Sequence, residues 1–222
     1  MLLAAIVLTT WAAAPVAAAC LALVEFITFY DNAVAGLGNR LGVAPRTEAL
    51  NRRRFLLHAV CISLLVPAYA GIGELLGIPA FADMTFNAGV VIVTAAITAL
   101  GYFTGYRPLQ LLMPVNYYGC LRYAQSVNPT SRRDDYPYSD AELAQKAFPP
   151  LASIVTVLVG LTLSVWMGVA ADFWIPAMVT APMLLAGAFP PKAWGALATS
   201  CLEVLFSAGL VISLVMLATG VD

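Results

Sequence analysis

Apolar residues dominate the chain from position 2 to 37, then again over 55–78, 84–106, 148–170, 173–189 and 193–219. Crossing a hydrocarbon core of about 30 Å takes about 20 predominantly apolar residues in a helix. The pattern therefore predicts an all-α, polytopic integral membrane bundle of six spans. Residues 109–123 are also apolar, but this run is short and is interrupted by Pro114 and Asn116. It reads as an interfacial or re-entrant helix, with a seventh crossing as the alternative. Pro15 either kinks the first span or marks where it properly begins, and Pro67 should kink the second. Residues 1–20 read as the start of that first span rather than as a signal peptide. No basic residue precedes the run, and it stays apolar beyond the Ala17-Ala18-Ala19-Cys20 stretch.

Polar residues locate the loops. Arg40, Arg46, Arg52, Arg53 and Arg54 make the stretch between the first two spans strongly basic. Read as a cytoplasmic loop, it puts the N-terminus outside, and all eleven Lys and Arg residues then fall on the cytoplasmic side. Glu74, Asp83 and Asp172 mark outer turns. The one long hydrophilic stretch, 125–147, divides a single transmembrane domain into a first half, 1–124, and a second half, 148–222. Ser139-Asp140-Ala141-Glu142 within it is a capping-box pattern. Two successive halves of three spans each have opposite orientations, the arithmetic of a 3+3 inverted repeat.

Composition sharpens this picture: 61% of the 222 residues are hydrophobic and 10% are charged. Soluble domains average about 25% charged residues. The net charge of −1 leaves no electrostatic basis for binding nucleic acid. Cys20, Cys61, Cys120 and Cys201 fall in separate segments without metal-ligand spacing and read as small apolar core residues. His58, the only histidine, reads as an interfacial anchor. Tyr117, Tyr118, Tyr123, Tyr136 and Tyr138 read as interfacial aromatics. Walker, HExxH and GxSxG motifs are absent from the sequence, and Lys192 begins a span rather than lying within one, against a retinal Schiff base.

The chemistry concentrates in Glu25–Asn39. With Glu25 at zero and 100° per residue, Asn32 falls about 20° away, Asn39 about 40°, Thr28 about 60° and Asp31 about 120°. Small residues Ala35 and Gly36 share the sector. Ionisable groups at membrane depth usually face a protein interior or a water-filled cavity, so this stripe reads as one wall of an ion or polar-substrate site. A buried polar network that fixes helix packing is the alternative. Glu203, in the last span, carries its own polar face of Thr199, Ser200 and Ser207. Clusters of carboxylate, amide and hydroxyl oxygens suit hard cations such as magnesium, calcium or manganese. The expected site is therefore Glu25, Asp31, Asn32 and Glu203 around a common cavity, with Asp31 as an entry ligand. Asn87 lies too near the outer boundary to join it.

Leu23-Val24-Glu25 through Asp31-Asn32-Ala33-Val34 resembles the opening motif of tellurite-resistance (TerC-like) membrane proteins. Asp31 through Gly38-Asn39-Arg40-Leu41 resembles the first helix of manganese efflux pumps. Both belong to the lysine-exporter superfamily, and the resemblance covers about residues 20–75. It implies a six- or seven-span inverted repeat exporting a divalent cation, manganese above all, with Asp31 as the first repeat's acidic residue. The family's second acidic motif opens the second half. Here residues 148–170 hold no carboxylate, and Ala198-Thr199-Ser200 followed by Glu203 resembles that motif from the last span. The expected function is thus a secondary transporter exporting a small divalent cation from the plasma membrane. Its expected partners are the bilayer, the cation and protons, with a homo-oligomer or larger membrane complex open and no covalent cofactor. Two other classes remain. A non-transporting membrane subunit would use Gly101 and Gly105 to contact another chain, and a lipid-modifying enzyme would use Glu25, Asp31 and His58 as acid–base groups.

Overall fold

The computed structural model describes residues 10–109, 112–117, 120–125, 151–188 and 191–220. After a helical turn at Thr10 and Trp11, the chain breaks at Ala12–Ala14 and enters α1, Pro15–Leu41. Pro15 occupies the first turn, where its missing N–H costs nothing, so the proline starts the span rather than kinking it. α1 outlasts its expected end at position 37 by about one turn and stops at Gly42, whose φ of 65° suits glycine.

The expected basic loop is mostly helix. α2, Pro45–Cys61, begins with a proline in its first turn and Glu48 close behind, so Arg46, Arg52, Arg53 and Arg54 ride on helix rather than loop. Only Gly42–Ala44 connects it to α1. A tight 3-10 turn, Ile62–Leu64, then leads into α3, Leu65–Leu75. Pro67 explains the tightening, because it lacks the N–H that would bond the Ser63 carbonyl. The Ser63 hydroxyl donates to the Val60 carbonyl at 3.2 Å and lies 2.6 Å from the Thr98 hydroxyl.

A short α4, Pro79–Ala82, precedes α5, Met84–Leu100, which widens into a π-helical turn at Gly101–Tyr106. Asp83 caps α5, accepting from the amides of Thr85 at 2.8 Å and Phe86 at 3.0 Å. The Phe86 amide above all, with that of Thr85, holds the Asp83 carboxyl below the usual carboxylate range.

Where an interfacial or re-entrant helix is expected over 109–123, the described residues instead pair as the two strands of a β-hairpin. β1, Leu112–Tyr117, pairs antiparallel with β2, Cys120–Gln125, Pro114 lying opposite Tyr123 and Asn116 opposite Leu121. Pro114 would break a helix, but it is tolerated at a strand position that donates no ladder bond. The connector over 126–147, with its capping-box pattern, lies outside the described residues.

α6, Leu151–Ala171, is followed by a turn in which Asp172 has φ 54° and accepts from the Trp174 indole at 3.1 Å. α7, Ile175–Ala188, has Pro182 inside it, and α8 runs Pro191–Thr219. Among the described residues five helical stretches are long and apolar enough to span: Pro15–Leu41, Pro45–Leu75, Met84–Tyr106, Leu151–Ala171 and Cys201–Thr219. α7, at 14 residues, reaches only about 21 Å.

One apolar core joins α1, α3, α4, α5, α6 and α8 through Leu21, Tyr69, Phe81, Ile97, Met167 and Leu210 among others. Close helix contacts need glycine at Gly71 and Gly160. A Cβ there would overlap Ala17 and press into the Tyr69 ring. Phe26 (59% exposed) and Phe29 (70%) face away from the protein, as lipid-contacting residues do. The protein is thus a helical integral membrane protein.

Candidate functional site

The polar stripe of α1 divides between two neighbours. With Val24 at zero, Thr28, Asp31, Ala35 and Gly38 fall within about 40° on either side. Val24, Ala35 and Gly38 are buried, so Asp31 lies on the helix's inward face. Glu25, Asn32 and Asn39 fall about 60–100° to one side.

On the inward face Asp31 meets α2. Its carboxylate takes the Arg54 Nε at 2.9 Å, with the Arg54 side chain 11% exposed and that of Asp31 30%. Asp31 stands ten residues before Leu41 and Arg54 nine after Pro45, so both lie about 14–15 Å from the end of the bundle where α1 and α2 join. This is the basic end. Arg54 also lies over the Phe55 ring, 4.8 Å from its centroid. His58 follows Arg54 by one turn and interacts electrostatically with both Asp31 and Arg54. Its Nε2 lies 3.2 Å from the Ser153 hydroxyl at the start of α6. Asp31, Arg54, His58 and Ser153 thus form one polar centre linking three helices. Sequence reasoning placed Arg54 in a loop and His58 at an interface. The signal it passed over was Pro45 as a helix start, which puts Arg54 and His58 one turn apart on one face.

On the flank Glu25 turns toward α8. Its carboxyl group lies close to the Ser207 hydroxyl. Glu203 precedes Ser207 by one helical turn and shares its face, where side chains at this spacing lie about 5–6 Å apart at Cβ. Because Ser153 of α6 lies beside His58 and Trp166 beside Phe81, α6 runs away from the basic end, and α1 runs toward it. Glu25 lies about 24 Å from the basic end of α1, well inside the span. The side chains of Thr199 and Ser200 lie outside the described residues.

The remaining stripe residues have local partners. Thr28 donates to the Val24 carbonyl at 3.1 Å, and Asn32 to the Thr28 carbonyl at 2.9 Å. Asn39 reaches the hairpin, accepting from the Leu121 amide at 2.7 Å. The four residues expected around one cavity are therefore arranged as two groups: Glu25 joined to the face that carries Glu203, and Asp31 joined to Arg54, with Asn32 bonded along its own helix. Among the described residues no three of His, Cys, Asp and Glu come together as a metal-holding group. Asn87 serves α4, donating to the Phe81 carbonyl at 3.1 Å. Gly101 is used inside the chain, where a Cβ would overlap the Ala59 carbonyl and crowd Ala152. No family model matches the chain, and no curated protein or solved structure does.

Proposed function

We propose that the chain is a secondary membrane transporter for a small divalent cation. In this reading Glu25 and Glu203 are the intramembrane carboxylates of the transport site, and Ser207 is a hydroxyl ligand between them. The observation that carries it is the Glu25–Ser207 contact, which brings Glu25 of α1 to α8 one turn from Glu203. Isolated carboxylates at that depth are costly, so each needs a proton or a cation. A pair sharing one hydroxyl answers both needs and couples cation movement to protons. Carboxylate and hydroxyl oxygens favour magnesium, calcium or manganese, the class that the likeness to manganese efflux pumps also implies.

Asp31 takes a different part from that of an entry ligand. Its pairing with Arg54 supports a charge-compensated gate between the basic end and the carboxylates. The opposed directions of α1 and α6 support two inverted halves, six passages with α7 the shortest, and the density of arginines at one end supports an N-terminus outside. The subunit reading is weakened at Gly101, whose close contact lies within this chain. The test is manganese flux into proteoliposomes holding the full chain. Flux in the parent that is lost in both Glu25→Gln and Glu203→Gln, at unchanged thermal stability, is the expected result. Equal flux in parent and variants overturns the reading.

A further inference from the structure

The stretch Pro45–Leu75 is broken inside the span by the 3-10 turn Ile62–Leu64. Ser63 of this turn lies about 27 Å from the basic end, close to the depth of Glu25. Three oxygens meet at the break. The Ser63 hydroxyl stands 2.6 Å from the Thr98 hydroxyl of α5 and 3.2 Å from the Val60 carbonyl. The Thr98 hydroxyl closes the triangle with its own contact to the Val60 carbonyl at 3.3 Å. Two hydroxyl protons serve three edges, so one edge is a bare contact between oxygens and lone pairs are in surplus. Ser63 is fully buried, out of reach of bulk water. Carbonyls and hydroxyls beside a break in a membrane helix are the groups that coordinate small cations in transporters.

α6 brings a fourth oxygen to this level. Ala152, Thr156 and Gly160 follow one another at one-turn spacing and are all buried, so they share the inward face of α6. Ala152 packs at Gly101, whose bare Cα lies against the Ala59 carbonyl, and Gly160 lies against the Tyr69 ring. Thr156 stands between these two contacts. It is therefore level with the chain between Ala59 and Tyr69, which holds Ser63, and with Thr98, one turn before Gly101. The Thr156 hydroxyl is buried and has no hydrogen-bond partner among the described residues. Other hydroxyls of α6 behave differently: Thr162 donates to the Leu158 carbonyl and Ser164 to the Gly160 carbonyl, each four residues back. The same local bond is within reach of any helical threonine. A ligand shared with the facing oxygens accounts for Thr156 not making it.

We propose that Ser63, Thr98, Thr156 and the Val60 carbonyl bind one monovalent cation, sodium. None of the four oxygens carries a formal charge, so they suit a single positive charge, whereas divalent ions draw on carboxylates. Sodium has nearly the radius of calcium, which oxygens hold at about 2.3–2.6 Å. Oxygens 2.6–3.3 Å apart can all touch an ion of that size seated on their face, and they fit the larger potassium less well. The site is separate from the Glu25–Glu203 pair, and its test needs no flux. The melting temperature of the full chain in detergent is followed as sodium chloride replaces choline chloride at constant ionic strength. It should rise saturably, by about 3–6 °C at a concentration about tenfold above the midpoint. Thr156→Val removes a hydroxyl without breaking a bond seen among the described residues. It should melt no lower than the parent in choline and should lose the sodium response. Ser63→Ala and Thr98→Val should melt lower in choline, because each breaks the triangle, and should lose the response as well. A parent indifferent to sodium overturns the site, and so does an equal response to potassium. A response kept in Thr156→Val but lost in Glu25→Gln assigns the ion to the carboxylates and also overturns it.

Discussion

The two ends of the bundle are held together by different physics. Toward the end that carries Asp83, Phe81 packs its fully buried ring 4.9 Å from both Phe86 and Trp166, and Leu65, Ile72 and Met167 fill the core around it. Polar groups there are few: Thr180 donates to the Pro176 carbonyl and Ser164 to the Gly160 carbonyl within their own helices, and the Tyr69 hydroxyl meets that of Thr180 at 2.6 Å between helices. At the basic end a small apolar cluster of Leu109, Leu112 and Tyr123 is joined by a set of polar long-range connections: Asp31 to Arg54, His58 to Ser153, Asn39 and Asn51 to the hairpin, and Arg52 to Leu109. Apolar packing gives a fixed scaffold. Polar contacts that cross between elements can be exchanged for water or for a cation, so the half built from them is the half suited to move.

The largest expected effect tests the scaffold. Phe81→Ala should cost about 3–5 kcal/mol of stability, the usual penalty for emptying a buried aromatic site. Thermal unfolding in detergent measures it, and a loss under about 1 kcal/mol would mean the aromatic end is not the rigid half. Next comes the ion pair. Asp31→Asn removes the carboxylate that meets the Arg54 guanidinium and should cost about 2–3 kcal/mol, reduced from the fully buried figure because Asp31 is part-exposed. Asp31→Asn with Arg54→Met should recover most of that loss. A double variant weaker than the single one would remove charge compensation as the explanation.

A smaller change is expected from Tyr69→Phe. It deletes a buried contact of 2.6 Å with Thr180, whose hydroxyl keeps its bond to Pro176, so about 1 kcal/mol should be lost. The smallest effect belongs to Asp83. Because its folded-state pKa is depressed, its contribution is present above the ordinary carboxylate pKa of about 4 and is lost as pH falls through the lower folded value. Asp83→Ala should therefore lower the melting temperature slightly at pH 7 and leave a weaker acid dependence. An unchanged acid dependence would show that the cap does not act through its charge.

The scaffold was the more legible half. Runs of apolar residues locate the spans, and the run over 84–106 coincides with the helical stretch Met84–Tyr106, bounded by Asp83 and Arg107. Three features were not legible, each for a physical reason. The Arg52–Arg54 run was assigned to a loop because charge outweighed the helix-start signal of Pro45, although a helix longer than the membrane carries its charges outside it. The hairpin was assigned to a helix because no alternation of apolar and polar positions marks 112–125. Its signal was two short runs flanking Tyr118-Gly119, with Pro114 against a helix. The stripe on α1 was identified by its spacing, but spacing on one helix does not say which neighbour each residue meets. That Asp31 turns to Arg54 and Glu25 to Ser207 depends on how three helices pack.

The central claim is that Glu25 and Glu203 act as one cation site, and a double-mutant cycle on manganese binding tests it most directly. Manganese affinity is measured calorimetrically in detergent for the parent, Glu25→Gln, Glu203→Gln and the double variant. A shared site predicts that either single change removes nearly all the binding and that the second adds little. Two independent, additive losses, or full binding in either single variant, would contradict it.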